Sequence, residues 1–524
     1  MAASRLMTGT HTTYQGMMMD IKKQVLLALF ATSMATAASA QQHDYGEGMP
    51  PFTPSLLLEN KDGRFDHWNG IGRMESRGNR MCTAVLIDPR TNPQVDSPDV
   101  PAYILSSGHC AYTQSGQLGV DLEIEGQVEF NYFKDLSRNR KSYALKRIKW
   151  SSLRGTDLAL LELDTTLSSL LKDGIKPMAL AQDMPDIGMD ILSVSAPMTA
   201  TGYTLRVSAC KLESVVNIVE HPYSWNANQS NRCEDVLPGS SGSPLVDRYT
   251  NRIIGIMGTT TRGATEQSRC FTDSPCEVND GQASWHADTN YASPVDALPA
   301  CFVDGVFDIA RPACTLQSAA QLTLANPDYR KHYIRLERDK NGDVIAPRWN
   351  MAFTVNTSMF KFKATRNPAE CRDPDGYKSS RDARTAHINA VIGTEPGIYS
   401  LCIAGHNGNQ GSAPGVRENA FIHTVELVEA SETPAPDVAI ERLENGKHQV
   451  VFTPRLPDRA SHAYKFGAPE LTDCDAAEGY KTVYYNFNIS PKLLPVKLCT
   501  LVKDAAGHPS EPRTDVLLEP ESAG

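Results

Sequence analysis

Short apolar runs bounded by turn residues dominate the chain between about residues 70 and 314. Clear examples are residues 84–87, 102–105, 158–161 and 253–256. Runs of this length suit strands, and amphipathic helical periods are few over the same stretch. The pattern predicts an all-β domain, built as a barrel or a sandwich, that ends near Cys314.

The C-terminal part contains two units that resemble each other at a spacing of about 100 residues. Each unit has a strand-like run, a cysteine, a Gly-Tyr pair, a second cysteine and a later glycine. These features are residues 360–364, Cys371, 376–377, Cys402 and Gly411 in the first unit, and 464–468, Cys474, 479–480, Cys499 and Gly507 in the second. Units of this length are too long for a solenoid repeat and predict two β-sandwich domains.

The N-terminal region has the layout of a secretory signal. Lysines at 22–23 precede an apolar run at 25–31, and small residues at 38–40 predict cleavage before Gln41. Translation starting within 17–19 fits the same layout. The apolar run is shorter than the roughly 20 residues of a membrane-spanning helix. We therefore expect a protein exported to the periplasm or the medium, without an integral membrane anchor.

The amino-acid composition limits the classes of partner and cofactor to be expected. The net charge of -10, without a long basic run, disfavours nucleic acid, which proteins bind through Lys and Arg. Twelve cysteines in an exported chain indicate disulfides, and no CxxC pair favours zinc, so no cofactor or metal is expected. Neighbouring positions and the repeat suggest one pairing among many open ones: Cys82–Cys110, Cys210–Cys233, Cys270–Cys276, Cys301–Cys314, Cys371–Cys402 and Cys474–Cys499.

The segment Pro-Gly-Ser-Ser-Gly-Ser-Pro at 238–244 is the clearest chemical signal. A serine hydroxyl is a weak nucleophile that needs a base, an orienting carboxylate and donors for an oxyanion. Ser241 is the candidate nucleophile, and the N–H groups of Gly239 and Ser241 are the candidate donors. Alone, the segment is equally compatible with a flexible turn.

Two partners upstream weaken that alternative. His109 follows an apolar run and adjoins Cys110, which a disulfide would anchor. Asp157 stands at the start of the apolar run 158–161, where a carboxylate needs a compensating donor. The combination of His, Asp and Ser in this order predicts a catalytic triad.

These segments resemble a known group of enzymes. Residues 82–87, 106–110, 157–161 and 239–244 are similar to the corresponding motifs of the trypsin/chymotrypsin superfamily, especially its bacterial lysyl and glutamyl endopeptidases. The resemblance covers roughly residues 66–301. It implies a double six-stranded β-barrel in which His109 is general base and then general acid, Asp157 holds its tautomer, and Ser241 forms the acyl-enzyme.

Several positions depart from the superfamily. Ser240 replaces the Asp of animal trypsins, so their zymogen switch is not expected, and Gly108 replaces the usual Ala. Residues 255–260 lack both a Ser-Trp-Gly pattern and the His of many glutamyl enzymes. Asp235 has the offset of the trypsin specificity carboxylate and predicts cleavage after Lys or Arg. Bacterial relatives that carry this Asp without basic specificity leave the alternative open.

The expected organisation has five segments: a signal region at 1–40, an N-terminal or pro segment at 41–65, a trypsin-like protease domain at 66–315, and β-sandwich repeats at 316–430 and 431–524. The predicted function is a secreted serine endopeptidase acting on proteins or peptides. The sandwiches would bind a surface, a matrix or the substrate. The alternative is a catalytically inactive adhesin that acts through its sandwiches. An esterase is disfavoured because its triad normally runs in the order Ser, Asp, His.

Overall fold

The computed structural model describes residues 43–76, 80–111, 118–198, 204–316, 320–325, 333–408, 420–429, 431–452, 459–483 and 486–518. The predicted signal region and Gly411 of the repeat lie outside these residues. No helix in the described part is long and apolar enough to cross a membrane. The α-helices there are short, α1 (Gly108–Ala111) and α2 (Leu167–Lys172). Single 3₁₀ turns occupy Asp66–Trp68, Ser137–Asn139, Glu266–Ser268, Pro299–Cys301, Pro368–Arg372, Ala383–Thr385 and Pro491–Leu493.

The first barrel is closed and antiparallel. The chain up to residue 166 contains β1 (Thr53–Leu57), β2 (Ile71–Ser76), β3 (Arg80–Ile87), β4 (Pro101–Ser106), β5 (Gly119–Glu123), β6 (Gly126–Phe130), β7 (Lys141–Ser152), β8 (Arg154–Gly155) and β9 (Leu158–Thr166), of which β1 and β8 join the sheet of the second barrel. Six of them pair in the order β7-β6-β2-β3-β4-β9, and β9 returns to β7. Their inward side chains, among them Met74, Leu86 and Phe130, fill the barrel.

The second barrel closes in the same way. Its part of the chain contains β10 (Asp190–Ser195), β11 (Arg206–Glu220), β12 (Tyr223–Asn231), β13 (Pro244–Asp247), β14 (Ile253–Thr260), β15 (Cys276–Asn279), β16 (Gln282–Ser284) and β17 (Asn290–Pro294). The order is β11-β10-β13-β14-β17-β12, and β12 returns to β11. One apolar cluster joins the barrels, with Val85 and Leu105 from the first and Val194 and Ile256 from the second. The predicted double six-stranded barrel is confirmed.

The segment before the first barrel belongs to the second barrel's sheet. Strand β1 pairs antiparallel with β11. Asp44 Oδ1 accepts a hydrogen bond from Nε of the buried Arg248 at 2.7 Å, and Leu58 lies in the core between the barrels. From Asp44 onward, the predicted N-terminal or pro segment is therefore packed as part of this domain.

The first repeat unit is a β-sandwich. After the short hairpin of β18 (Phe302–Val303) and β19 (Val306–Phe307), its strands are β20 (Leu322–Leu324), β21 (Tyr333–Arg335), β22 (Glu337–Arg338), β23 (Val344–Ile345), β24 (Met351–Val355), β25 (Met359–Thr365), β26 (Arg381–Asp382), β27 (His387–Ile388), β28 (Gly397–His406) and β29 (Phe421–Val428). One sheet has the order β20-β24-β27 and the other β21-β29-β28-β25-β26. Both contribute to a single core that includes Phe353, Phe360 and Leu401.

The second repeat unit has the same construction. Its strands are β30 (Val438–Arg442), β31 (His448–Phe452), β32 (Ser461–Gly467), β33 (Lys481–Val483), β34 (Phe487–Ile489), β35 (Val496–Lys503) and β36 (Arg513–Leu517). The sheets β30-β31-β34 and β33-β32-β35-β36 enclose Val450, Ile489 and Leu498.

A lysine makes equivalent contacts in the two repeat units. In the first unit, Lys363 Nζ donates to the carbonyl oxygen of Asp375 at 2.8 Å and lies 5.0 Å from the ring centroid of Tyr377. In each unit, the loop that contains the first cysteine is thus held by one buried or half-buried lysine. The second unit repeats both contacts with Lys465, Glu478 (3.1 Å) and Tyr480 (4.4 Å).

The first sandwich is docked on the second barrel. The Arg269 guanidinium donates to both carboxylate oxygens of Glu426, at 2.9 and 2.8 Å. Nearby, the hydroxyls of Ser224 and Thr424 are 2.6 Å apart and buried. Ile398 packs in a cluster with Val219 and the disulfide of Cys270 and Cys276. Charge, hydrogen bonding and apolar packing all contribute to this interface.

Replacing Arg269 and replacing Glu426 should lower the stability of the protein by different amounts. Arg269→Ala leaves Glu426, whose side chain is 8% exposed, without its cation, so the free energy of unfolding should fall by about 3–5 kcal/mol. Glu426→Gln leaves the more exposed Arg269 and should cost less. Urea denaturation measures both. Arg338→Ala, which removes an exposed pair with Glu429, is the control and should change stability by less than about 1 kcal/mol. Equal losses in all three variants would contradict this account.

Candidate active site

His109 is held at the end of a strand by three constraints. It lies in the one-turn helix α1 directly after β4, and the neighbouring Cys110 is bonded to Cys82 of β3. At Gly108, a Cβ would lie 2.1 Å from the carbonyl oxygen of Ser152, so a side chain does not fit there. The departure from Ala at this position is thus explained by close backbone packing.

Asp157 contacts His109 twice. Its Oδ2 lies 2.7 Å from His109 Nδ1, and its Oδ1 accepts the backbone N–H of His109 at 2.9 Å. Asp157 is fully buried, whereas the His109 side chain is 29% exposed. Burial lowers the pKa of His109, but the charge and hydrogen bond of Asp157 outweigh it, with a smaller contribution from Glu220. The pKa of the imidazole is therefore raised above its usual 6.5.

The loop that carries Ser241 leaves two amide groups available. Gly239 and Gly242 have φ of +92° and +87°, and the carbonyl oxygen of Gly239 accepts the Thr83 hydroxyl at 2.9 Å. Neither the Gly239 N–H nor the Ser241 N–H donates a hydrogen bond to a residue within the described ranges. Two unbonded amides beside a serine hydroxyl are a suitable arrangement for binding an oxyanion.

One cleft of about 830 Å³ brings the predicted site residues together. His109 of the first barrel and Gly239 and Ser241 of the second barrel all line it. The remaining walls are mixed, with apolar, aromatic and charged side chains. They include Arg80, Met198, Glu220, Tyr223, Trp225, Val236, Thr259, Arg262 and Asp273.

Asp235 is not among the residues that line this cleft. Its Oδ2 accepts hydrogen bonds from the backbone N–H and the hydroxyl of Ser55 in β1, at 2.9 and 2.7 Å. Arg206 donates to the same hydroxyl at 2.6 Å. Burial raises the pKa of Asp235, but these hydrogen bonds and the charges of Arg206 and Arg262 outweigh it and hold the pKa below 3.8. Within the described residues, Asp235 is therefore bound to strand β1 and does not face the cleft that contains Ser241.

Glu220 is a buried acid that does line the cleft, and no sequence motif indicated it. It ends β11, well upstream of the serine motif, and no known spacing relates it to Ser241. The pairing of β11 with β12 places it opposite Tyr223, which also lines the cleft. A buried acid at a strand end is recognisable in a sequence only once the sheet is known.

The cysteines form six disulfides, Cys82–Cys110, Cys210–Cys233, Cys270–Cys276, Cys301–Cys314, Cys371–Cys402 and Cys474–Cys499. The sulfur atoms of Cys82 and Cys110 lie near a ring nitrogen of His109. Because these sulfurs are bonded to each other, they offer no thiolates to a metal.

Titration of His109 should report its partner directly. In Asp157→Asn, the charge that raises the pKa is lost while burial remains, so the pKa should fall below 6.5. NMR of the protein with ¹³C-labelled histidine measures this pKa in both proteins. The other histidines serve as internal controls. A His109 pKa that is unchanged by the substitution would show that the pair does not form in solution.

Comparison with known proteins agrees with the architecture. The sequence model of the family described as "Trypsin-like peptidase domain" matches residues 82–256, a range that includes His109, Asp157 and Ser241. No curated protein sequence matches the chain significantly.

Solved structures of proteases resemble part of the chain. The active form of the Rv3671c protease from M. tuberculosis is 15% identical, with a TM-score of 0.29, and the match covers 47% of this chain and 85% of that one. A Glu endopeptidase is 16% identical (46% and 90% covered, TM-score 0.31), and mouse neuropsin is 13% identical (46% and 94% covered, TM-score 0.28). Such low identities and scores carry no weight for function. The family match over residues 82–256 and the two closed barrels show that this part of the chain is similar to trypsin-like peptidase domains in sequence and in fold.

Proposed function

We propose that this protein is a secreted serine endopeptidase that hydrolyses peptide bonds through His109, Asp157 and Ser241. The observation that carries the proposal is their convergence. A histidine oriented by a buried carboxylate lines the same cleft as a serine flanked by two unbonded amide groups. This combination provides a base, a nucleophile and oxyanion donors for acyl transfer.

The proposed reaction has two steps. In the first, Ser241 Oγ attacks the carbonyl carbon of the scissile bond while His109 Nε2 takes the hydroxyl proton. The N–H groups of Gly239 and Ser241 stabilise the oxyanion. As the C–N bond breaks, His109 returns the proton to the leaving amine, which gives an acyl-enzyme on Ser241.

In the second step, water attacks the ester carbonyl and gives a proton to His109. The C–O bond to Ser241 then breaks, and the proton returns to the serine oxygen as the carboxylic acid product is released. Asp157 remains a carboxylate throughout, holding the proton on His109 Nδ1 and stabilising the imidazolium.

Export is part of the proposal. Six disulfides suit an oxidising compartment, and the predicted signal region would direct the chain there. The substrates would be proteins or peptides. The sandwiches would bind a surface, a matrix or the substrate, and the first of them lies beside the second barrel.

Hydrolysis of a mixed peptide library tests the proposal. The full secreted chain should cleave peptides, and Ser241→Ala should lose at least about a thousandfold in rate because the nucleophile is absent. Mass spectrometry maps the cleavage sites, and circular dichroism confirms that the variant is folded. No cleavage by folded wild type, or equal cleavage by the variant, would overturn the proposal and favour the inactive adhesin.

A further inference from the structure

The cleft contains a carboxylate that the proposed reaction does not use. Glu220, at the end of β11, is 6% exposed and lines the same cleft as His109 and Ser241. Its Oε1 accepts the backbone N–H of Asp273 at 3.0 Å. Its Oε2 is buried and has no hydrogen-bond partner at normal distance among the described residues.

No cation of the described chain pairs with Glu220. Four charged or titratable groups besides tyrosine share the cleft with it: Arg80, His109, Arg262 and Asp273. Arg80 donates to the backbone carbonyl of His109, and the charge of Arg262 acts on Asp235. The groups whose charges act on Glu220 are Asp273 and His109. A buried carboxylate whose hydrogen-bond donors are all neutral is unfavourable in its ionised form, so a cation bound in the cleft would stabilise it.

An aromatic pair completes the surroundings. Tyr223 and Trp225 stack with ring centroids 5.8 Å apart and an interplanar angle of 8°, and both side chains line the cleft. Aromatic walls accommodate the aliphatic stem of lysine or arginine and attract its charged end. An acidic or purely apolar side chain would leave Glu220 Oε2 unsatisfied.

We propose that Glu220 is a specificity-determining residue that binds a lysine or arginine side chain of the substrate within this cleft. The inference rests on the proposed endopeptidase function and adds its substrate class. It assigns to Glu220 the charge selection that the sequence had suggested for Asp235. The substrate cation would accept no proton and form no covalent bond; it would donate hydrogen bonds to Oε2 and neutralise the carboxylate.

Cleavage kinetics with matched peptides test the selection. Wild type should prefer Lys or Arg over norleucine at one position of the substrate, and Glu220→Gln should reduce that ratio of kcat/KM by about tenfold to a hundredfold. Glu213→Gln is the matched control, since it removes the same charge from the same strand outside the cleft. An unchanged ratio in Glu220→Gln, or a wild-type preference for acidic side chains, would overturn the inference.

The pH dependence of the same kcat/KM ratio tests the inference in the wild-type protein, without a substitution. Burial raises the pKa of Glu220 to about 7, against the hydroxyl of Thr259, the amide of Asp273 and the charge of His109. Glu220 is therefore neutral below this pH and ionised above it. The preference for the cationic peptide should increase as the pH rises through about 7. Dividing the two rates cancels the titration of His109, and a flat ratio would contradict the role of Glu220.

A binding measurement separates this inference from the proposed function. Calorimetry with folded Ser241→Ala should show that N-acetyl-lysine amide binds more tightly than N-acetyl-norleucine amide, and that adding Glu220→Gln abolishes the difference. If this difference appears while wild type cleaves nothing, the cation site stands and the endopeptidase proposal fails. If wild type cleaves peptides but the two amides bind equally, the endopeptidase proposal stands and the cation site fails.

Discussion

The arrangement of the double-barrel domain depends on the burial of one carboxylate. Asp157 directly precedes β9 of the first barrel, is fully buried, and donates its backbone N–H to Ser293 Oγ of the second barrel at 3.0 Å. At Gly258 of β14, a Cβ would lie 2.9 Å from Asp157 Oδ2. A carboxylate in this position is tolerated because His109 supplies two hydrogen-bonding groups. The packing of the two barrels against each other and the orientation of His109 therefore depend on the same buried carboxylate.

Local sequence patterns were enough to predict much of this arrangement. The apolar runs at 84–87 and 158–161 lie within strands β3 and β9, and the serine motif needs two glycines with positive φ, which the sequence shows as Gly239 and Gly242. The six cysteine pairs are close in sequence, with separations of 6 to 31 residues, so neighbouring positions were a useful guide. Such features depend on few residues at short range.

Long-range pairing could not be predicted in this way. The partner of Asp235 is Ser55, 180 positions earlier, and nothing in the serine motif indicates that a preceding strand will occupy its carboxylate. Glu220 reaches the cleft through the register of β11 on β12. The two acids differ little in chemistry, yet one is satisfied by hydroxyl and amide donors while the other has an unsatisfied oxygen. Their environments, and not their residue types, distinguish them.

The docked first sandwich supports residues of the second barrel that line the cleft. Glu426 holds Arg269, which adjoins the Cys270–Cys276 loop, and Asp273 of that loop both lines the cleft and donates to Glu220. The family match ends at residue 256, before Arg269 and the Cys270–Cys276 loop of this interface. The second barrel and the first sandwich should therefore fold cooperatively, although the family match ends before the sandwich begins. A shortened protein that ended at Cys314 would keep every atom of the proposed triad and lose the support of one wall of its substrate cleft.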